Sequence, residues 1–374
     1  MDARPPPARA AGAGRGVTLV LIGTAVAVLF ATLLWWQAQG WIATWQDWRR
    51  QRAGRSLSLR VLERETVGGC VRLRLGAVRG RLPRFSAGQH LLVHGDDGAR
   101  CYSLARWQRW PAQYWIAIKP EGRASSSIAA MPVGARISAS LPRGAFHCRP
   151  SRDEEVLLIA GGIGITPLMA MLDRLRAAPP RRVTLVHAAR TRDALLWHDE
   201  LAALAGSAGW FDYRPRLSAP DAGWQGEQGR LSPRDVQALV ADPARCAAWL
   251  CAGDGMSGTA QVGLALAGVA AGRIHRESFG PAAGAAQGDV RIALADGRSV
   301  RGGEAATLLA ALDPLQPYAA AQCRAGQCGG CRSTLQSGEV RWLMRPDCAV
   351  ADGEVLACCC AAMTDVVLQP HFPR

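Results

Sequence analysis

Residues 156–172 read VLLIAGGIGITPLMAML, and the change of pattern inside this stretch decides the fold of the middle of the chain. Val156–Ala160 is a short apolar run, as buried strands are, and Pro167–Leu175 has the apolar spacing of a helix. Three glycines separate the two elements: Gly161, Gly162 and Gly164. A buried strand, a glycine turn and a helix in this order predict the first βα unit of a parallel sheet.

The alternation of strand and helix continues after this unit. Val183–His187 and Ala248–Cys251 are further short apolar runs, and Leu195–Leu204 has helical spacing. Residues 150–280 are therefore expected to form an α/β domain with a parallel sheet. Glycines at the first turn permit close approach of a pyrophosphate, and Thr166 follows them in the order Gly-Gly-x-Gly-x-Thr-Pro. A tight turn that binds no ligand is the alternative interpretation.

Residues 56–149 have a different sequence pattern, which predicts strands. Ser56–Val61 and Val71–Leu75 alternate apolar and polar residues, which is typical of half-buried strands, and no long helical pattern is present. The segment contains the motif Arg100-Cys101-Tyr102-Ser103, in which an arginine can neutralise a phosphate and a tyrosine ring can stack on a flat ligand. Taken alone, the motif fits a solvated arginine beside a strand tyrosine equally well.

The C-terminal part of the chain carries the most specific motif. After a small-residue linker at 281–287, residues 288–374 form a short domain with an expected strand at Asp289–Ala293 and an expected helix at Glu304–Leu312. Its segment CRAGQCGGC has the spacing Cys-x4-Cys-x2-Cys, and another cysteine follows downstream. This is the plant-type [2Fe–2S] ligand pattern, with candidate ligands Cys323, Cys328, Cys331 and Cys358.

Two details of this motif bear on the metal. Glycines between the cysteines allow backbone amides to approach the sulfurs: Gly326, Gly329 and Gly330. A zinc site is the alternative, but it usually shows two matched Cys-x2-Cys pairs and this domain has one. Cys359 and Cys360 compete with Cys358 as fourth ligand. If the segment is extended, adjacent side chains point to opposite faces, so we expect Cys359 to face away from the cluster.

The N-terminal part of the chain resembles a membrane anchor. Val17–Trp36 is free of charge and, as a helix, is about 30 Å long, which matches the hydrocarbon thickness of a bilayer. Tryptophans follow it, as at membrane interfaces. We therefore expect a tail at 1–16, a transmembrane helix at 17–36 and an interfacial linker at 37–55. A cleaved signal peptide and a buried core helix are the alternatives, although no A-x-A site follows the run.

Composition limits the classes of function. The chain has 374 residues, 49% of them hydrophobic, which excludes a disulfide-dominated miniprotein and a low-complexity chain. Lys+Arg 44 against Asp+Glu 30 gives +14, which suggests anionic ligands or an anionic membrane surface. No basic helix with interleaved aromatics and no zinc-finger spacing is present, so nucleic acid is not an expected partner. Three arginines precede the apolar span and four closely follow it, Arg49, Arg50, Arg52 and Arg55, so the positive-inside rule weakly favours a cytoplasmic body.

In this order, the three motifs resemble the ferredoxin–NADP+ reductase superfamily, in the branch with a C-terminal plant-type ferredoxin domain that includes phthalate dioxygenase reductase. The resemblance covers roughly Ser56 to the C terminus. It implies an antiparallel β-barrel that binds flavin, an α/β domain that binds NAD(P)H and a β-grasp ferredoxin-like α+β domain. FAD is favoured over FMN, because the glycine pair common in FMN-binding members is missing.

The resemblance also implies roles for individual residues. The flavin would be held by Arg100, Tyr102 and Ser103 and by a second phosphate-binding stretch with Gly122, Ser125 and Ser126. The nicotinamide nucleotide would be held by Gly161, Gly162, Gly164 and Thr166, with Cys251 near the nicotinamide. Glu277 and Phe279 match the family's E-x-F motif, which places an aromatic ring near the flavin. The family usually has Cys-Gly-Pro where this chain has Cys251-Ala252-Gly253. Arg190 or Arg192 is expected to decide between NADPH and NADH.

The implied activity is electron transfer. NAD(P)H gives two electrons as hydride, an iron–sulfur cluster takes one, and a flavin connects the two. No side-chain acid or base is required, so no catalytic residue is nominated, and isolated histidines such as His90 and His187 are expected to be structural. The expected acceptor is a membrane oxygenase or desaturase. The NADH-oxidising subunit of a respiratory quinone reductase and a membrane-bound redox sensor are the alternatives.

Overall fold

A computed structural model describes 56–96, 98–149, 154–277, 279, 289–302, 307–318, 321, 324, 326, 329–343, 346 and 348–371. The predicted tail, transmembrane helix and interfacial linker lie outside these residues. Within the described part, no helix is long and apolar enough to cross a membrane. The described residues form an antiparallel barrel-like domain, an α/β domain with a parallel sheet and a smaller α+β domain.

The first domain is an antiparallel barrel-like sheet with strand order β4-β3-β6-β1-β2-β5. Its elements are β1 (Leu57–Val67), β2 (Cys70–Ala77), β3 (His90–Gly95), β4 (Gly98–Ser103), β5 (Tyr114–Ile118), α1 (Arg123–Ala129) and β6 (Arg136–Ala139). The Ala105 N–H donates to the Trp115 carbonyl over 2.8 Å, which connects the two edges of the sheet. The alternating pattern of the sequence is confirmed, because alternate β1 residues Leu59 and Val61 are buried and Ser58 and Arg60 exposed.

The second domain is a six-stranded parallel sheet with strand order β10-β9-β8-β7-β11-β12, and helices connect most of its strands. Its strands are β7 (Glu155–Gly161), β8 (Arg182–Ala189), β9 (Phe211–Leu217), β10 (Glu227–Gln228), β11 (Cys246–Cys251) and β12 (Ile274–Glu277). Its helices are α2 (Ile165–Arg176), α3 (His198–Ser207), α4 (Pro233–Ala238) and α5 (Asp254–Leu266). The predicted α/β domain is confirmed, and the barrel and this domain share one hydrophobic core.

The third domain is a mixed five-stranded sheet with strand order β14-β13-β19-β15-β17 and a separate two-stranded pair, β16-β18. Its elements are β13 (Arg291–Leu294), β14 (Ser299–Arg301), α6 (Leu308–Leu312), β15 (Arg332–Ser337), β16 (Val340–Trp342), β17 (Glu354–Leu356), β18 (Cys360–Ala362) and β19 (Val366–Pro370). It has its own core, in which Leu308 and Leu312 of α6 pack with Ile292 and Leu368 of the sheet. The predicted α+β class is confirmed.

Two local predictions differ from the structure, and one strand was not predicted. The serine run after Gly122 lies in a short helix, α1, inside a segment expected to contain only strands. The helix expected from Leu195 begins at His198, because Trp197 has φ 59°, a left-handed conformation that interrupts helical backbone. Strand β9, which includes Pro215, was not predicted, since Asp, Arg and Pro hide its buried positions.

Candidate functional site

The carboxyl end of β7 forms a narrow turn that only glycine can build. A side chain on Gly164 would place its Cβ 1.9 Å from the Cys251 carbonyl oxygen, at the end of β11. Gly162 has φ 53°, and open space surrounds its missing side chain. The turn therefore packs against β11 through Gly164 and presents open backbone at Gly162, as close approach of a diphosphate requires.

Other side chains hold this turn in place. The buried Thr166 hydroxyl donates to the Ile163 carbonyl over 3.0 Å, so Thr166 stabilises the turn itself. His187 on β8 lies 3.3 Å from the Gly162 carbonyl oxygen through Nε2, and burial lowers the pKa of His187 to about 4. A neutral His187 with Nε2–H donates to that carbonyl. The sequence supports a structural role for His187, but not its contact with the glycine turn.

The barrel presents its Arg-x-Tyr-Ser motif on β4. Tyr102 is 9% exposed, and its buried hydroxyl has no hydrogen-bond partner within the described chain. Burial raises the pKa of this phenol, and the nearby Arg100 guanidinium opposes the shift. A buried hydroxyl without a partner is costly, so this atom favours a bound polar group. A flavin, with its ribityl hydroxyls and phosphate, fits this residue set.

The structure brings two predicted motifs together although they are far apart in sequence. Ser103, at the end of β4, donates to Glu277 Oε2 over 3.5 Å, and Glu277 ends β12. His90 Nδ1 lies 4.0 Å from Glu277 Oε1, and His90 is 1% exposed. From the sequence, His90 is expected to be structural, and its position beside Glu277 was not predicted. Gly144 leaves room for the His90 ring, because a Cβ at this position would lie 2.8 Å from the imidazole.

Cys251 lies beside the same carboxylate. Burial raises the pKa of the Cys251 thiol well above its usual value, and the charge of Glu277 adds to the shift, so the thiol stays protonated. Phe279 is 42% exposed. The family usually has glycine where this chain has Ala252. The Ala252 methyl group lies 2.8 Å from where a Gly161 Cβ would lie, so it narrows the space beside the glycine turn. Ser103, Cys251, Glu277 and the glycine turn therefore converge where barrel and α/β domain meet.

Not every predicted flavin residue is equally placed to bind a ligand. Gly122 has φ 85° and open space around it, directly before α1. The Ser125 hydroxyl is buried and donates to the Glu121 carbonyl over 2.8 Å, so Ser125 closes the turn at the start of α1. Ser126 is exposed. The structure thus places Gly122 and Ser126 where a phosphate can reach them.

A cavity of about 1040 Å³ lies beyond the carboxyl ends of β8 and β9. Arg192 lines this cavity, and Arg190 is not among its lining residues. The cavity has more acidic than basic lining residues; the acidic ones are Glu65, Asp193, Asp199, Glu200 and Asp221. Gly68 of the barrel meets this loop, because its Cβ would lie 1.9 Å from the Asp193 carbonyl oxygen. The barrel hairpin therefore supports one wall of the cavity.

An arginine clamps the barrel to the α/β domain. Arg106, from the barrel, donates to both carboxylate oxygens of Asp173 over 2.9 and 3.1 Å. It also donates to both oxygens of Glu200 over 2.8 and 2.9 Å. Such paired guanidinium–carboxylate bonds fix orientation as well as distance. Together with the shared core, they hold the cleft between the two domains in one geometry.

The described part of the cluster motif forms a buried thiol site. Cys331 and Cys358 are each 2% exposed, and the Cys358 N–H lies 3.5 Å from the Cys331 sulfur. The Gly326 N–H donates to the Cys358 sulfur over 3.3 Å, and Gly326 has φ 71°. Thiols next to each other with a backbone amide aimed at one sulfur fit a [2Fe–2S] cluster. Cys323 and Cys328 lie outside the described residues.

The prediction that Cys359 faces away from this site is wrong. Its sulfur lies 3.7 Å from the Cys358 sulfur and 2.7 Å from where a Gly326 Cβ would lie. Residues 357–359 form a turn between β17 and β18 and are not extended, so the alternation of strand side chains does not apply. The hydrogen bond that the Gly326 N–H donates to the Cys358 sulfur distinguishes Cys358 from Cys359. The alternation of side chains along a strand does not distinguish them.

Comparisons with known proteins agree with this arrangement. The family described as "Oxidoreductase NAD-binding domain" matches residues 158–261, and that described as "2Fe-2S iron-sulfur cluster binding domain" matches 294–363. The chain is 32% identical over 290 residues to the 3-chlorobenzoate-3,4-dioxygenase reductase subunit of Comamonas testosteroni, covering 75% of this chain and 85% of that protein.

Two further matches extend the comparison. The glycine betaine monooxygenase reductase subunit of Pseudomonas aeruginosa (strain UCBPP-PA14) is 26% identical over 317 residues, covering 76% of this chain and 87% of that protein. The solved structure of phthalate dioxygenase reductase superposes with a TM-score of 0.59 at 24% identity, covering 86% of this chain and 99% of the other. That structural likeness supports the three-domain fold.

Proposed function

Because the chain belongs to the ferredoxin–NADP+ reductase superfamily, in the branch with a C-terminal plant-type [2Fe–2S] domain, we propose that it is the reductase of an oxygenase system. It takes electrons from NAD(P)H and passes them through a flavin and the cluster to a partner oxygenase. A desaturase is the second class of acceptor. The single observation that carries this proposal is the contact of Ser103 with Glu277, since it joins the flavin motif to the nucleotide domain.

The residues of the cleft bind and orient, and none needs to transfer a proton. A flavin bound here would supply the conversion of a two-electron hydride into single electrons, which suits a one-electron cluster. Arg100 neutralises phosphate charge, and the Tyr102 hydroxyl gains the partner that it lacks within the described chain. Gly162 offers open backbone to the dinucleotide diphosphate, and Gly164 lets the turn pack against β11. Glu277 fixes Ser103 at the mouth of the barrel, and Cys251 remains a neutral thiol beside it.

The charge of the large cavity favours NADH over NADPH. A ribose 2′-phosphate there would meet Arg192 but also the excess of carboxylates around it. We expect a higher kcat/KM with NADH, and we expect Arg192→Ala to raise the KM for NADPH several-fold while sparing NADH. Arg190→Ala is the matched control, because Arg190 does not line the cavity. Preference for NADPH in the unmodified protein would contradict this assignment.

The proposal includes the membrane. The uncharged run Val17–Trp36 and the tryptophans after it support a retained single-pass anchor with the body on the cytoplasmic side, next to a membrane-bound oxygenase or desaturase. Anchoring would raise the effective concentration of the two partners for each other. The protein should resist carbonate extraction from membranes, and protease added to spheroplasts should leave the flavin domain intact. A mature N terminus near Gln39 would contradict a retained anchor.

The redox proposal itself is tested with the purified full chain. We expect equimolar flavin and two iron atoms for each flavin, in keeping with one [2Fe–2S] cluster. We also expect rapid NADH-dependent reduction of ferricyanide. Chromatography of the extracted flavin then decides between FAD and FMN. A protein that binds flavin but does not turn over NADH with any artificial acceptor would support the redox-sensor alternative. Crosslinking in native membranes identifies the protein acceptor.

A further inference from the structure

One cavity of the barrel lies away from the flavin and nucleotide residues. It has a volume of about 400 Å³ and is formed by the start of β1, the loop after β2 and the start of β6. We call it the arginine groove; its lining residues are Ser56–Leu59, Ala77–Arg79, Arg81–Leu82 and Arg136. Arg79, Arg81 and Arg136 are exposed, and none of the described lining residues is acidic.

The charges of the groove are uncompensated. Arg60 and Arg136 are directly opposite on neighbouring antiparallel strands, and both are exposed on the same face. Like charges placed in this way repel each other. Within the described part of the chain, Arg60, Arg79, Arg81 and Arg136 form no ion pair.

Near the hairpin turn that joins β1 and β2, two arginines are neutralised by acidic side chains. Arg72 and Arg74 of β2 pair with Glu65 and Glu63 of β1, near the hairpin turn. Among the described residues, these two arginines near the hairpin turn are therefore neutralised, whereas Arg60, at the other end of the β1–β2 pair, forms no ion pair. Clustered unpaired guanidinium groups are suited to phosphate, which they bind through paired hydrogen bonds. The groove fits an anionic phosphate-bearing group.

The position of the groove in the chain indicates where such a group comes from. Ser56 lines the groove and follows directly on the 19 residues 37–55 that separate it from the apolar run Val17–Trp36. Fully extended, a linker of that length reaches at most about 65 Å, which sets an upper limit on the distance between Ser56 and a membrane that would hold the run. The linker adds further arginines, including Arg49, Arg50, Arg52 and Arg55.

We propose that the arginine groove binds the headgroup of an anionic phospholipid and so seats the barrel on the membrane surface. This inference rests on the membrane anchoring proposed above, but it concerns a different part of the chain. Each arginine near an anionic surface strengthens attachment, and the attraction falls off within a Debye length. A bound headgroup would hold this face of the barrel against the membrane. It would therefore limit the orientations that the domains can take relative to the membrane.

The test uses the full-length protein with its cofactors in a neutral detergent. Binding of dihexanoyl phosphatidylglycerol is measured by calorimetry, next to dihexanoyl phosphatidylcholine and inorganic phosphate. We expect saturable binding of the phosphatidylglycerol only, weakened at least about tenfold in R79Q/R81Q/R136Q. The matched control is R109Q/R230Q/R234Q, which removes the same charge from exposed arginines outside the groove. Flavin content and the ferricyanide rate show that both variants are folded.

The outcomes separate the possible sources of the anion. Equal affinity for phosphatidylglycerol and inorganic phosphate would overturn the lipid assignment and leave a free-anion site. Equal weakening in the control variant would overturn the groove and indicate non-specific charge. If the groove variant fails to fold, trypsin cleavage of the unmodified protein gives the same answer. Phosphatidylglycerol should slow cleavage after Arg79 and Arg81 and leave the rate of cleavage after Arg109 unchanged. Carbonate extraction tests the anchor separately, so the two proposals can fail independently.

Discussion

The flavin and nucleotide residues lie at the ends of strands from two different sheets, whereas the described cluster residues lie in turns of one short domain. Ser103 and Glu277 meet although 174 residues separate them. By contrast, Gly326, Cys331 and Cys358 meet within a stretch of 33 residues, through turn conformations with positive φ. The cluster site is therefore largely a local property of its sequence, and the cleft is a property of the assembled fold.

The largest expected effect comes from a variant that disrupts only the cluster site. Cys358→Ser should abolish the electron paramagnetic resonance signal of the reduced cluster, because it removes the thiolate that the Gly326 amide faces. Hydride transfer from NADH to flavin should continue, since it precedes the cluster. Cys359→Ser is the matched control and should leave the signal nearly unchanged. Loss of the signal in Cys359→Ser, with a normal signal in Cys358→Ser, would show that the neighbouring thiol is the ligand.

A second variant disrupts the nucleotide site at the glycine turn and leaves the cluster site intact. Gly164→Ala places a methyl group against the Cys251 carbonyl, so the turn must move, and we expect kcat/KM for NADH to fall at least about a hundredfold. The cluster, reduced directly with dithionite, should keep its signal. Gly258→Ala is the control, because this helical glycine has no atoms within 4 Å of an added Cβ. Unchanged NADH kinetics in Gly164→Ala would mean that the dinucleotide does not use this turn.

These two variants also show how far sequence alone reaches. The spacing of Cys323, Cys328 and Cys331 predicts the cluster because these candidate ligands lie within nine consecutive residues of the sequence. The glycine turn predicts a dinucleotide because its strand and helix are its neighbours in the chain. The positions of His90 and His187 could not be predicted, since each lies beside residues that come close only in the assembled fold. The same reasoning failed at Cys359, where a turn replaces the extended segment that the prediction assumed.

A smaller effect is expected at the flavin. Loss of a charge-assisted hydrogen bond to phosphate costs about 1.5–3 kcal/mol, so Arg100→Ala should weaken flavin binding about ten- to a hundredfold. Flavin retained after serial dilution measures this directly. Arg109→Ala, on the exposed surface of the same domain, should retain its flavin. Full occupancy in Arg100→Ala would remove Arg100 from the flavin site, while its cluster should be unaffected either way.

The smallest expected effect is a dependence on pH that is confined to the α/β domain. His187 has its pKa lowered by burial to about 4, from 6.5, so the unfolded chain binds more protons than the folded one between these values. Stability from His187 is thus complete above pH 6.5 and falls as the pH decreases, by about 2 kcal/mol between pH 7 and pH 5. Denaturant unfolding of His187→Gln should show a flatter pH profile. An identical profile would mean that His187 is not buried.

Anaerobic mixing of the full-length protein with NADH tests the central claim most directly, with flavin absorbance and the cluster's resonance signal followed in the same sample. The account predicts that the flavin is reduced first and that the cluster signal then rises to one spin per flavin. Protein from which the flavin has been removed should give no cluster signal with NADH. Reduction of the flavin with a cluster that stays oxidised, or reduction of the cluster by NADH without flavin, would contradict the proposed path of electrons.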